Sequence, residues 1–175
     1  NMLLGQVGLL SFGHAVYYGL GAFCTAHLIN WIASGVIWLP ITLVPIFGGL
    51  CGMFFGFIFG IVTTRRPGTP FAMISLGIAE MVAASALMFT AFFGGEAGID
   101  ANRTAGGAML GVSYGPQIQV YYLVVAWCIL SIAGMYAITR TPLGRMANAV
   151  RDNPERAKFV GYNPTRVRWM TMTLA

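Results

Sequence analysis

Four apolar runs, residues 14–33, 36–62, 71–93 and 120–138, set the terms on which this chain can fold. Crossing about 30 Å of hydrocarbon as a helix takes roughly 20 apolar residues, which is the length scale of these runs. A fifth run opens near Val167 and reaches the last residue, Ala175. Only 9% of the residues are charged and 57% are hydrophobic, whereas a soluble domain carries about 25% charge. A surface so poor in charge would not stay dispersed in water. The reading is an all-α integral membrane protein with about four complete transmembrane helices and the start of a fifth. Residues 1–175 are taken as part of one transmembrane domain, a piece from the middle of a longer protein.

The links between the runs carry the orientation. Residues 139–168 form a basic island holding Arg140, Arg145, Arg151, Arg156, Lys158, Arg166 and Arg168. The link between the second and third runs has Arg65 and Arg66 before the turn signal Pro67-Gly68. If all four runs span, these two links share one face. Nine of the ten basic residues then lie on it, which assigns that face to the cytoplasm. The exception, Arg103, belongs to the long, Gly-rich, mildly acidic link 94–119 with Glu96 and Asp100, which faces outside. The short uncharged link at Ser34 and Gly35 lies outside too. The positive-inside bias explains the net charge of +5 better than a nucleic-acid partner does.

Several features inside the apolar runs invite a second reading. Gly48, Gly52, Gly56 and Gly60 recur every four residues, so on a helix they stack into one smooth stripe. The stripe serves close helix–helix packing or a sliding wall along a translocation path. Glu80 is the one acidic residue within a run. A charge there costs about 2.5–3.5 kcal/mol on insertion scales, so it should face protein or water. It is either a buried carboxyl bonded to a neighbouring helix or a group on the translocation path. His14 and His27 lack a carboxylate at metal spacing. His14 suits a buried turn at the start of the first run, and His27 with Asn30 makes a polar patch near its outer end. Cys24, Cys51 and Cys128 read as small apolar packing residues. Residues 1–13, broken by Gly5, Gly8 and Gly13, read as the tail of a helix followed by an unwound stretch. Such backbone is tolerated at membrane depth only inside protein or along a cavity.

No phosphate-binding loop motif occurs, and the chain has a single lysine, Lys158. No G-x-S-x-G or Cys/His pairing points to hydrolysis. Any chemistry would belong to a partner. Within the island, Pro142 and Pro154 can each open a short helix. Asn153 is placed as an N-cap, and Glu155 complements the helix dipole. Gly161 is placed to end the helix over residues 154–160, with Pro164 just beyond. This element either touches anionic lipid or docks a soluble partner.

At this point the island resembles the EAA-type coupling loop of ABC-importer permeases. Glu155, Ala157 and Gly161 match it in register, with Arg156 at the second position. The wider run is similar to the branched-chain amino-acid permease family of the LivM type. Leu143, Gly144, Arg145, Ala149, Arg151, Asn153, Ala157, Gly161 and Arg166 fall where that family's loop places them. The opening is similar as well, through Asn1, Leu3, Leu4, Gly5, Gly8, Ser11, Gly13, His14, Gly19, Gly21 and Ala22; Met2 and Phe23 depart mildly. Phe71, Ala72, Leu76, Ala79 and Glu80 fit the third run, with Ser75 where threonine is usual. Gly94, Gly95, Gly98 and Ile99 fit the family's outer loop.

The resemblance implies a multi-pass permease subunit of the bacterial inner membrane, itself non-catalytic and binding no cofactor. Two ATPase subunits would carry ATP and Mg. A second permease subunit, a periplasmic binding protein and membrane lipid complete the expected partners. Residues 139–166 would be the cytoplasmic coupling loop, with Arg145, Arg151, Asn153, Glu155, Ala157 and Gly161 meeting the ATPase. Ser11, His14, Gly52, Gly56 and Glu80 would line the path or pack helices, and Gly94, Gly95 and Glu96 would contact the binding protein. The implied substrate is a branched-chain amino acid, with urea, amides or aromatic acids also moved by such proteins. Two other readings compete: an ion-coupled secondary transporter using Glu80, and a membrane scaffold that transports nothing.

Overall fold

The computed structural model describes residues 2–102, 104 and 114–175. Asn1 and Arg103 lie outside the described residues. Among these residues the fold is helical without strands. A π-helical segment, Leu3–Val7, precedes α1 (His14–Ala33). Then come α2 (Val44–Thr63), α3 (Thr69–Met88), the one-turn α4 (Thr90–Phe93) and α5 (Gln117–Arg140). Three short helices close the chain: α6 (Pro142–Asp152), α7 (Pro154–Phe159) and α8 (Pro164–Leu174).

Three stretches among the described residues are long and apolar enough to cross a membrane: Ile41–Thr63, Thr69–Met88 and Gln117–Arg140. The 20 residues of α1 have the length of a span, but His14, His27 and Asn30 dilute its apolarity. Its polar groups turn to protein instead. His27 Nε2 lies 2.8 Å from the Phe92 carbonyl oxygen, and Asn30 Nδ2 donates to the Asp100 carbonyl at 3.0 Å. α1 therefore sits against neighbouring elements rather than relying on a lipid-facing apolar surface.

Two boundaries move from their sequence-based positions. The second run was expected from Val36, but Pro40 holds extended backbone and the helical stretch begins at Ile41 with a 3-10 turn. The third run was expected to continue to Phe93. It breaks at Phe89, where φ is −95° and ψ is 69°, and resumes for one turn as α4.

α1 and α2 run antiparallel along the glycine stripe. A Cβ on Gly21 would sit 2.7 Å from the Gly48 carbonyl oxygen, and one on Gly52 would sit 3.1 Å from the Tyr17 carbonyl oxygen. The far end of the stripe meets α8: a Cβ on Gly60 would lie 3.0 Å from the Trp169 ring. Trp169 Nε1 donates to the Phe57 carbonyl at 3.0 Å, and its ring packs 4.5 Å from that of Phe57. The stripe is thus helix-packing surface, divided between two partners. α5 is different, burying none of its residues within this chain.

One core cluster lies at the end of the molecule where α3 begins and α6–α8 gather. It joins Leu3, Val7 and Leu9 to Phe71, Ala147, Val150, Ala157, Val167 and Met172. This brings the Arg65-Arg66 link and the basic island to one end, the arrangement the charge bias demands of a cytoplasmic face.

Candidate coupling loop and membrane cavity

The loop begins where α5 turns sharply into α6. A Cβ on Gly144 would sit 2.2 Å from the Thr139 carbonyl oxygen, so the turn closes only around glycine. Pro142 opens α6 at its first turn, where its missing N–H costs nothing. Gly144, Ala147 and Val150 recur every three residues and are buried, while Arg145 and Arg151 stay exposed. That face rests on the π-helical segment and α8.

α7 is built by local chemistry. Asn153 Oδ1 accepts from the Arg156 backbone N–H at 2.9 Å, and Pro154 fills the first position. Glu155 stands exposed in the first turn, and Ala157 is buried. The helix ends through Gly161, whose φ is +95°. Gly161 N donates to the Lys158 carbonyl at 2.9 Å, and Tyr162 N donates to that of Ala157 at 3.0 Å. Only glycine enters that region without strain. Asn163 Oδ1 accepts from the N–H groups of Thr165 at 3.1 Å and Arg166 at 3.3 Å, starting α8 one residue past the turn. The tip of α7 presents Phe159, 92% exposed, and Val160, 68% exposed.

Above the loop, a cavity of about 810 Å³ opens between α1, α2, the end of α8 and Tyr114. His14, Tyr17 and Gly21 line it from α1; Gly48, Gly52 and Met53 line it from α2; Met172 lines it from α8. Tyr114 Oη donates to Thr42 Oγ1 at 3.2 Å on the outer side. Gly52 and Gly56 line the cavity as well as packing helices, so both readings of the stripe meet there. Ser11 lies in the unwound stretch below. Its Oγ and His14 Nδ1 are buried without a hydrogen-bond partner among the described residues. Phe12 N donates to Ser75 Oγ at 3.2 Å, fastening that stretch to α3.

Glu80 is placed apart from this group. It is exposed midway along α3 and makes no hydrogen bond or ion pair among the described residues. Among the described residues, no helix of this chain supplies the bonding partner expected for a buried carboxyl. α3 turns Ser75 toward the rest of the chain and the Glu80 face away from it. At the outer end, Gly94 and Gly95 both take positive φ, and a Cβ on Gly94 would fall 2.1 Å from the Gly98 carbonyl oxygen. Their residue type follows from this turn, and Glu96 is its exposed side chain.

Residues 1–175 match the family described as branched-chain amino acid transport system / permease component. The chain belongs to that permease family. It is 28% identical over its whole length to the high-affinity branched-chain amino acid transport system permease protein LivM of Salmonella typhimurium. Identity to the Escherichia coli protein of the same name is 29%, again over the whole chain. Each alignment covers 45% of the relative, so the chain spans about half the length of the curated relatives it matches. The fructose import permease protein FrcC of Rhizobium meliloti is 31% identical over 73% of the chain and 34% of its own length. No solved structure matches significantly. The permease family and the apolar helices together make this a multi-pass protein of the bacterial inner membrane.

In this permease the EAA-like spacing has an architectural cause. Ala157 must be small because it is buried against the core cluster, and Gly161 must be glycine because of its φ. Position 156 is exposed, which is why arginine is accepted there. Sequence reasoning missed the buried face of α6. Its signal was present in Gly144, Ala147 and Val150, spaced by three within a short helix opened by Pro142.

Proposed function

We propose that this chain is the membrane-embedded part of a permease subunit in an ATP-driven importer that takes substrate from a periplasmic binding protein. A second permease subunit and two ATPase subunits complete the assembly, and the ATPases hold ATP and Mg. The observation that carries this reading is the tip of α7. A phenylalanine 92% exposed beside an exposed valine, at the cytoplasmic end and flanked by Arg156 and Lys158, is apolar surface waiting to be covered. The rest of the loop is anchored inward through Ala147, Val150 and Ala157. A loop held on one side and apolar at its tip suits a groove on a moving partner. Closure of the ATPases would then shift the helices bounding the cavity and alternate access to it.

Branched-chain amino acids are the substrate class that the two LivM relatives favour. The largely apolar lining of the cavity, with Met53, Met172 and Leu123, suits an aliphatic side chain better than a sugar. The test is ATP hydrolysis by the full-length permease reconstituted with its co-encoded ATPases and binding protein, with and without leucine. Leucine-stimulated hydrolysis that falls at least fivefold on Phe159→Asp is the expected result. Leucine-independent turnover would remove the substrate assignment but keep the importer. No association with any ATPase would overturn the importer.

A second reading rests on Glu80, a carboxylate without a partner among the described residues, on a span-length helix. An ion-coupled transporter would titrate it during each cycle. Under the importer reading, Glu80→Gln retains at least a third of wild-type uptake, measured as labelled-leucine accumulation in cells. Complete loss of uptake with normal membrane levels would favour ion coupling instead.

A further inference from the structure

The coupling loop and the cavity wall are joined by one side chain. Helix-end carbonyls lack helical partners and carry the negative end of the helix dipole. The π-helical segment Leu3–Val7 ends in this way, with Gly8 at φ +71°. Arg151, in the last turn of α6, donates from Nη1 to the Gly5 carbonyl across 146 positions of sequence. Its Nε donates to Asp152 Oδ1 at 3.0 Å, which holds the guanidinium plane in place. The aliphatic stem runs over Gly8, where a Cβ would lie 3.0 Å from Arg151 Cγ. Glycine at position 8 therefore serves the backbone turn and the passage of the arginine at once.

Ala147 and Val150 of α6 share an apolar cluster with Leu3 and Val7 of this segment and with Leu9 beyond it. Apolar contact is non-directional and permits sliding, whereas a charge-assisted hydrogen bond fixes register. Beyond Gly8 the chain is fastened to α3. Phe12 N donates to Ser75 Oγ at 3.2 Å, and a Cβ on Gly13 would fall 2.1 Å from the Ser75 carbonyl oxygen. α1 starts at the next residue, and His14 and Tyr17 line the cavity. Loop, segment, fastening point and cavity wall thus lie in series, with Arg151 as the directional contact at the loop end.

We propose that Arg151 is a positioning residue that transmits movement of the cytoplasmic loop to α1 at the cavity, by holding the Gly5 carbonyl in register with α6. This rests on the importer reading above, for the same loop. Arg151 thereby acts inward, toward the membrane helices, and not on the ATPase surface where the family resemblance placed it.

The experiment uses the full-length permease with its ATPases and binding protein in proteoliposomes, and measures ATP hydrolysed per leucine imported. In Arg151→Gln, which keeps size and polarity but loses charge and fork, that ratio is expected to rise at least tenfold. Gly8→Ala, which crowds the same stem while keeping Arg151, should raise it about threefold. A purely structural or docking role lowers hydrolysis and import together and leaves the ratio unchanged. An unchanged ratio in both variants would overturn the linkage while leaving the importer standing. If the wild-type complex shows no ATP-dependent import, the importer reading fails first and the linkage falls with it.

Discussion

Replacing Gly161 by proline should abolish substrate-stimulated ATP hydrolysis while the permease still inserts into the membrane. The Gly161 φ of +95° is closed to proline, whose ring locks φ near −65°. Proline also removes the N–H that donates to the Lys158 carbonyl. The end of α7 would have to unwind or reorient, at a cost of about 3 kcal/mol or more, displacing Phe159 and Val160 at the proposed docking tip. The spans lie elsewhere in the chain, so insertion is untouched. Gly161→Glu acts in the same direction by a different route. Space beside the glycine is open, so its cost is left-handed backbone strain of about 1–2 kcal/mol. Hydrolysis by the reconstituted complex, alongside membrane levels by immunoblot, checks both variants. Normal leucine stimulation in Gly161→Pro would remove α7 from the docking role.

Gly21→Leu should cause a large loss of folded protein by forcing α1 and α2 apart. The obstacle is backbone: a Cβ at position 21 would come 2.7 Å from the Gly48 carbonyl oxygen, which no rotamer change relieves. α1 and α2 must separate, giving up the glycine-stripe contact. Overpacking typically costs about 1–3 kcal/mol, and a rigid obstacle places this case at the upper end, about 3 kcal/mol. Gly19→Leu is the matched control, two residues away on the same helix, because nothing lies within 4 Å of a Cβ there. It should change stability by no more than about 0.5 kcal/mol, as open-surface substitutions do. Because detergent-solubilised membrane proteins often unfold irreversibly, the measurement is the half-life of monodisperse protein at a fixed temperature. Equal half-lives for the two variants would show that α1 and α2 do not approach at Gly21.

The legible parts of the candidate coupling loop were its local ones. Asn153 capping α7, Pro154 opening it and Gly161 ending it each depend on residues within a few positions, so residue type alone carries the information. The same holds for the apolar runs that became α2, α3 and α5. The boundaries at Ile41 and Phe89 were harder to read. Residues 36–40 and 89–93 are as apolar as the helices they adjoin, and apolarity does not report where helical dihedrals stop. The surroundings of Glu80 were not legible for another reason. The cost of a charge in hydrocarbon says that it must be covered, but not whether the cover comes from this chain.

By itself the sequence determined that the chain is a helical membrane protein, and that a capped helix lies between the last two apolar runs. These conclusions follow from transfer free energies and short-range hydrogen bonds, which act residue by residue. Only the tertiary structure decided that the glycine stripe serves α1 at one end and α8 at the other. It alone seated α6 on the π-helical opening segment and brought Arg151 to the Gly5 carbonyl. Those outcomes depend on which faces meet between residues far apart in the chain. Helical periodicity shows that a face exists, and packing in three dimensions selects its partner.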